Sequence, residues 1–143
     1  MAELEGLFDF ILCDKICAAG CDAAIIVTEP YPAAVKSADF CASFLSDGGF
    51  KDIRLFVNKL NGGQVIEGAV MTAQEIANIL HLKLAGVIPE DLTLPLGKIK
   101  KGTKKAFAIS AENLTGRREG VCNVIKNYFG PYGYFKRKMR DRI

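Results

Sequence analysis

The side chains of this sequence that could bind a ligand or catalyse a reaction lie mainly at the ends of short apolar runs. The first run, Phe8–Cys13, ends at the carboxylate of Asp14, and the second, Ala23–Thr28, ends at Glu29 and Pro30. Apolar runs without polar alternation are typical of strands buried on both faces of a parallel sheet. Ligands gather at the carboxyl ends of such strands, so Asp14 is a candidate site residue. The alternative is a strand terminator, because Asp is also a common turn former.

Three cysteines, Cys13, Cys17 and Cys21, follow one another at intervals of four, which would place them on one helical face. A zinc site normally needs cysteines paired two residues apart and a fourth ligand, and this stretch contains no His. We therefore expect reduced, partly buried thiols rather than a metal centre.

Basic residues are concentrated in two places. The lysines of Lys98–Lys105 indicate a solvated loop, with a phosphate or lipid contact as the alternative. In the tail Tyr134–Ile143, basic residues surround a narrow apolar line formed by Phe135, Met139 and Ile143. Such a segment either binds an anionic membrane surface or is a solvated terminus, because an isolated helix this short is marginal in water.

The elements that would position these side chains alternate between strand and helix. The capping box of Thr72 and Glu75 is the strongest local signal, and it opens a helix that would bury Ile76, Ala77 and Leu80. Each crossover is long enough for a parallel connection, so the predicted fold class is α/β. Besides Ala23–Thr28, the sequence predicts strands at Ile53–Val57 and Leu84–Ile88, and helices from Pro32 to about Ser46 and from Thr72 to about Leu80.

Outside this alternation the patterns are weaker. The glycine-rich stretch Asn61–Gly68 is predicted to be a loop, and beyond Asp91 the periodicity loosens. A last helix is predicted between about Glu119 and Phe129, ended by Gly130 and Pro131.

Composition limits the class of protein. The 143 residues fit one domain with a real core, and 50% hydrophobic with 24% charged residues is ordinary globular composition. No window is long and apolar enough for a membrane span. The sequence begins with acids rather than positive charge before its first apolar run, so we expect a cytoplasmic protein. A net charge of +3 does not by itself indicate a nucleic-acid partner.

Four segments together resemble a known family. FDFILCD, DAAIIVTEPYPAAVKSAD, IRLFVNK and LAGVIPED are similar, in this order, to successive strand ends of the MinD/ParA family of deviant P-loop ATPases. The resemblance implies a parallel sheet flanked by helices, as a truncated P-loop NTPase fold. It also implies a partial nucleotide-binding domain over residues 1–130 and a basic amphipathic tail over residues 131–143, similar to the membrane-targeting helix with which MinD-like members tend to finish.

The resemblance implies roles for individual residues. Asp14 matches the acid at the end of the Walker B strand, which helps to hold Mg²⁺ through water, as suits a hard oxygen ligand. Asn58 matches the residue whose side-chain amide reads the adenine edge, since Asn carries both a donor and an acceptor. Pro89, Glu90 and Asp91 match the loop that borders the base. The implied cofactors are ATP and Mg²⁺; no residue is assigned a catalytic role. Without the family, Asn58 and Pro89 would simply be loop residues after strands.

This sequence departs from the family pattern in the motifs that contact the phosphates of the nucleotide. The sequence contains no G-x-x-x-x-G-K-[ST] run, whose backbone N–H groups and lysine would cradle them. The Asp-x-Pro-Ala-Gly switch that usually follows the Walker B acid is also missing, since Asp14 leads through Lys15 and Ile16 into CAAGCD. Phosphate contacts of this kind are worth about a thousandfold or more in rate. We therefore expect the carboxy-terminal portion of such a domain, with one strand left as an exposed edge, that does not hydrolyse ATP alone.

These expectations lead to one main function and two alternatives. The first is the carboxy-terminal part of a MinD-like ATP-binding protein in cell-division site placement or intracellular positioning, acting with a separate amino-terminal half or a dimer partner. The alternative is a non-catalytic module of the same fold that binds an anionic membrane surface, at the inner membrane face, or a protein partner. A ParA-like contact of Lys98–Lys105 with the DNA backbone is the third hypothesis. We do not expect nucleic acid as a partner.

Overall fold

Three short apolar segments form the parallel sheet that the sequence predicts. The computed structural model describes residues 7–13, 20–117 and 120–129. Its strands are β1 (Ala23–Thr28), β2 (Asp52–Leu60) and β3 (Lys83–Pro89), which lie side by side in the order β1-β2-β3. Both strand pairs are parallel, so all three carboxyl ends lie at one edge of the sheet. The α/β fold is confirmed.

Two helices cover one face of this sheet. They are α1 (Pro32–Asp47) and α3 (Ala73–Leu80), both close to their predicted bounds. The capping box that opens α3 is formed, because Thr72 Oγ1 accepts from the Glu75 N–H at 3.1 Å and Glu75 Oε2 accepts from the Thr72 N–H at 2.7 Å. The core between helices and sheet contains the predicted α3 residues and alternate strand residues, among them Ile26, Val35, Ala38, Leu55, Val57, Ile76, Ala77, Leu80 and Val87.

A third helix, α4 (Lys101–Leu114), packs on β3 from the opposite face. Gly86 of β3 permits this approach, since a Cβ there would stand 2.7 Å from Ser110 Oγ of α4. The same face of β1 is not covered by the described residues. Ile25 and Val27 are exposed there, whereas Ile26 and Thr28 are buried beneath the helices. The prediction that β1 is buried on both faces is therefore wrong.

The strand predicted at Phe8–Cys13 is also not formed. Residues 7–13 lie outside the sheet, and their apolar side chains are exposed. A strand needs a neighbour to pair its backbone N–H and C=O groups. Within the described part of the chain, β1 pairs only with β2, and residues 7–13 do not pair with its free edge, so this apolar run takes part in no ladder of hydrogen bonds. Asp14, which follows the run, lies outside the described residues.

The structure contains one short helix where the sequence predicts a loop. It is α2 (Gly62–Ile66), and Asn61 caps it because its Oδ1 accepts from the N–H groups of Gly63 at 2.9 Å and Gln64 at 3.4 Å. An Asn at this position satisfies donors that the first turn leaves unpaired, which outweighs the low helix propensity of two glycines.

The end of the chain also differs from prediction. α4 begins inside the lysine cluster, where a loop was predicted. Two of the four residues it buries, Thr103 and Ser110, are polar, so its apolar stripe is weak in the sequence. Within residues 120–129 the predicted helix is only a 3-10 turn, Ile125–Tyr128. Asn123 Oδ1 accepts from the N–H groups of Ile125 and Lys126, which favours a turn at that point.

Candidate functional site

The carboxyl ends of the three strands bring together side chains that are distant in sequence. Thr28 at the end of β1 is paired with Val57, and Leu60 at the end of β2 is paired with Pro89. Glu29, Asn58, Lys59 and Glu90 therefore lie along one edge of the sheet, where ligands of parallel sheets gather. We call these four residues, with Pro89, the strand-end site.

An ion pair joins the ends of β1 and β2. Lys59 Nζ lies 2.6 Å from Glu29 Oε1, and the Glu29 carboxylate raises the pKa of Lys59 above its ordinary value. Lys59 has a left-handed backbone, with φ of 54°, at an irregular point in the pairing of β2 with β3. A non-glycine residue there is strained, and such irregularities recur next to binding sites. The sequence places Glu29 at a strand end but predicts neither a site role for it nor its pairing with Lys59.

Asn58 stabilises the backbone at Lys59 through the oxygen of its side-chain amide. Its Oδ1 accepts from the Lys59 N–H at 3.0 Å, and its side chain is half-buried. Among the described residues its Nδ2 makes no hydrogen bond. The amide therefore retains two N–H donors and a second lone pair on Oδ1, which is the capacity that reading a base edge requires.

A second polar contact joins the ends of β2 and β3. Asn61 Nδ2 donates to Glu90 Oε2 at 2.7 Å, and the Glu90 N–H donates to the Leu60 carbonyl at 3.1 Å. Glu90 is exposed and Pro89 is half-buried, so both can border a ligand at this edge. Asn61 was predicted only as part of a loop; its position before two glycines, as a possible helix cap, was the signal that could have identified it.

Asp91 has a structural position instead of facing the edge. Only 1% of its side chain is exposed. Its carboxylate accepts from the Thr93 N–H at 3.0 Å, the Thr93 hydroxyl at 2.6 Å, the Lys100 N–H at 3.0 Å and the Thr103 hydroxyl at 2.8 Å. These donors hold the pKa of Asp91 well below its usual range, with the Thr93 hydroxyl as the largest cause. Asp91 thus fixes the loop after β3 to the beginning of α4.

The predicted ion and membrane residues are not brought to this site by the described structure. Asp14 lies outside the described residues, and so do Phe135, Met139 and Ile143 of the tail. In residues 7–13, 20–117 and 120–129, no group of three or more His, Cys, Asp or Glu side chains could hold a metal ion. This part of the chain thus contains no cluster of that size. It also has no helix with the length and apolar character to cross a bilayer.

Comparison with known proteins yields relatives of one kind, although no family model matches. The chain is 32% identical over 160 aligned positions to the septum site-determining protein MinD of Synechocystis sp., which covers 99% of this chain and 59% of that protein. It is 37% identical over 95 residues to the putative septum site-determining protein MinD of Guillardia theta, covering 59% and 35%. The chloroplastic minD homolog of Arabidopsis thaliana is 31% identical over 116 residues, covering 73% and 33%.

Solved structures share the fold. The MinD cell division protein of Aquifex aeolicus superimposes with a TM-score of 0.67 at 23% identity, covering 72% of this chain and 48% of that one. The cell division ATPase MinD of Pyrococcus furiosus gives a TM-score of 0.56 at 20% identity, covering 68% and 44%. The chain spans between 33% and 59% of the length of these curated relatives. Its strand-end motifs, its parallel sheet and these relatives together support a MinD/ParA-like family for this chain.

Proposed function

We propose that this chain acts in cell-division site placement as the part of a MinD-like protein that forms the base side of an adenine-nucleotide site. The observation that carries the proposal is the strand-end site itself. The Lys59–Glu29 and Asn61–Glu90 contacts join three strand ends, and Asn58 between them keeps donors available for a ligand. The septum site-determining names of the relatives support the cellular role.

The charges of the strand-end site suit a neutral base better than phosphates. Lys59 is neutralised by Glu29, and Glu90 adds a second carboxylate at the same edge. Phosphate oxygens would be repelled here, whereas an adenine ring offers ring nitrogens as acceptors and an amino group as donor, which match the Asn58 amide. In this proposal Asn58 binds the base edge, while Pro89 and Glu90 border it. Asp91 positions that border by anchoring the loop.

ATP would supply the phosphoryl group for hydrolysis and, with Mg²⁺, the charge that a catalytic centre must stabilise. The residues of this sequence hold no phosphate-loop motif to cradle that charge. We therefore propose that the chain does not hydrolyse ATP by itself. It would work with an amino-terminal half or a dimer partner that contributes the phosphate contacts. Incubation of the purified chain with ATP and Mg²⁺ should release no phosphate above the buffer rate, and turnover would contradict this.

The base-binding role can be tested at one side chain. On titration with millimolar ATP and Mg²⁺, the Asn58 side-chain amide resonances should move in nitrogen–proton NMR spectra. Those of Asn78, an exposed residue of α3 whose Oδ1 accepts from Gln74, should not. The Asn58→Asp variant keeps the size of the side chain and the cap on Lys59 but removes the donors, so it should weaken the response of neighbouring amides. Unchanged Asn58 resonances at the highest nucleotide concentration would refute base binding.

We also propose two domains, as the sequence suggests: residues 1–130 as the nucleotide-binding part and residues 131–143 as a membrane-targeting tail at the inner membrane face. Phe135, Met139 and Ile143 would form its apolar line, which the surrounding basic residues would hold at anionic lipid. The Met139→Glu variant should lose co-sedimentation with anionic vesicles if the tail is the dominant anchor. Unchanged sedimentation would contradict that role.

A protein partner is also proposed, since one structural neighbour is a MinC:MinD cell division protein complex of Aquifex aeolicus.

A further inference from the structure

The segment of residues 92–105, which we call the post-β3 loop, exposes apolar side chains although it is tightly folded. Leu92 and Leu96 are 76% and 75% exposed, and Leu94 and Ile99 are also exposed. Four large apolar side chains presented to solvent within eight residues are unusual for a surface loop, because scattered single residues are the normal case.

Lysines alternate with these apolar side chains. Lys98 and Lys100 flank Ile99, and Lys101, Lys104 and Lys105 follow in the first turns of α4, on the face opposite buried Thr103 and Ala106. Lysines at the beginning of a helix face the positive end of its dipole, and the first turn of α4 contains no acidic residue. Among the described residues, Lys100 is the one of these lysines that forms an ion pair, with its Nζ 3.8 Å from Oδ1 of the buried Asp91. The exposed surface of the loop is therefore strongly basic.

The backbone of the post-β3 loop is held in one shape. The Thr93 carbonyl accepts from the N–H groups of Leu96 at 3.1 Å and Lys98 at 3.2 Å, and the Gly97 N–H donates to the Leu94 carbonyl at 3.0 Å. Gly97 is left-handed, with φ of 73°, as this tight turn requires. Asp91 ties the beginning of the loop, at Thr93, to Lys100, the residue just before α4. The leucines are thus displayed by a closed turn, and binding would not have to order the backbone first.

We propose that the post-β3 loop is an interfacial contact for an anionic lipid surface. Its leucines would enter the boundary between headgroups and acyl chains, and its lysines would lie at the level of the lipid phosphates. Apolar residues interleaved with lysines are the composition of interfacial segments. A nucleic-acid backbone would use the lysines but would leave the exposed leucines against phosphate and water. The contact depends on neither the proposed base site nor the tail.

Tryptophan fluorescence can report this contact locally, since the chain has no tryptophan of its own. We would place one at the turn, Leu96→Trp, and one at an exposed position on α1, Phe44→Trp, as the matched control. Both would carry Met139→Glu so that the tail does not drive binding. With vesicles of equal parts phosphatidylglycerol and phosphatidylcholine, the Leu96→Trp emission should move to shorter wavelength and be quenched by brominated lipid. The Phe44→Trp emission should not change.

The lysines are tested by a charge-matched pair of triple variants. Replacing Lys101, Lys104 and Lys105 by Gln should weaken vesicle partitioning of the Leu96→Trp protein about fivefold per lysine, hence about a hundredfold in total. The control replaces three exposed lysines elsewhere, Lys36, Lys51 and Lys83, and should have a much smaller effect. Circular dichroism would establish that each variant is folded.

Three outcomes would overturn the proposal. One is Leu96→Trp emission that stays unchanged with anionic vesicles, both with and without Met139→Glu, which would leave the tail as the only lipid contact. Another is equal weakening by the two triple variants, which would mean that binding follows net charge alone. The third is a fluorescence response to duplex DNA but not to vesicles, which would assign the loop to nucleic acid. The base-binding proposal is tested by the Asn58 amide resonances and the lipid proposal by Trp fluorescence. If the Asn58 resonances do not respond to nucleotide, the fluorescence results still stand, so each proposal can be refuted without the other.

Discussion

Arg54 is the residue through which β2 holds the end of α4. Its Nη1 donates to the carbonyls of Asn113 and Leu114, both at 3.2 Å. Both belong to the last turn, whose carbonyls lack the usual donor within the helix, and the Asn113 carbonyl accepts in addition from the Gly116 N–H at 3.3 Å. Asp52 holds the guanidinium in place, with its carboxylate accepting from Nε at 2.9 Å and from Nη2 at 2.6 Å. Arg54 lowers the pKa of Asp52 through these hydrogen bonds. We expect Arg54→Met to loosen the last turn of α4 and destabilise the protein.

The size of the effect follows from the exposure of each partner. Hydrogen bonds to charged groups are worth about 1.5–3 kcal/mol each, but Arg54 is 24% exposed and water can reach the freed carbonyls. We therefore expect a loss of about 2 kcal/mol for both bonds together, including the favourable position of a cation at a helix C-terminus. Asp52 is 45% exposed, so its ion pair is largely screened and Asp52→Asn should cost about 0.5 kcal/mol.

Urea unfolding followed by circular dichroism would measure both losses, with Lys36→Met as the control. Lys36 is exposed on α1 and makes no ion pair among the described residues, so its replacement should stay within about 0.5 kcal/mol of the parent protein. Hydrogen exchange should show faster opening at the end of α4 in Arg54→Met. If Arg54→Met is no less stable than Lys36→Met, or if Asp52→Asn costs as much as Arg54→Met, the assigned clamp on α4 is wrong.

Two further predictions concern the loop anchor and the sheet–helix contact. The pKa of Asp91 is lower in the folded chain than its ordinary value near 3.8, so its stabilisation is complete above that value and is lost as the pH falls below it. Asp91→Asn should therefore be less stable than the parent at pH 7, and this difference in the free energy of unfolding should narrow on acidification. Unfolding curves at several pH values would decide, with Asp39→Asn, at an exposed position of α1, as the control for removing one carboxylate. Gly86→Ala should cost about 1–3 kcal/mol because its Cβ would stand 2.7 Å from Ser110 Oγ. Gly102→Ala meets no atom within 4 Å and should instead stabilise α4 by about 0.5–1 kcal/mol, so equal unfolding midpoints for the two would contradict the packing described.

Local signals explain the elements that could be predicted from the sequence. The capping box of Thr72 and Glu75 lies within one turn, and the runs that became β1 and β3 are bounded by turn residues on both sides. α2 and α4 were missed for different reasons. α2 depends on one Asn cap before two glycines, and two of the four residues that α4 buries, Thr103 and Ser110, are polar, which weakens its apolar periodicity.

By itself, the sequence determined the succession β1, α1, β2, α3 and β3, the parallel sheet and the resemblance that the relatives later matched, because each of these depends on residues near one another in the chain. The tertiary structure decided which side chains do what at the strand ends. Lys59 donates to Glu29, and Asn61 donates to Glu90. The carboxylate of Asp91 is buried and accepts from the hydroxyl of Thr103. Hydrogen bonds between segments so far apart in the sequence can form only when the strands lie side by side. No local sequence pattern therefore predicts them. The same carboxylate, Asp91, that the sequence placed beside a nucleotide base is buried in the fold as the anchor of a loop.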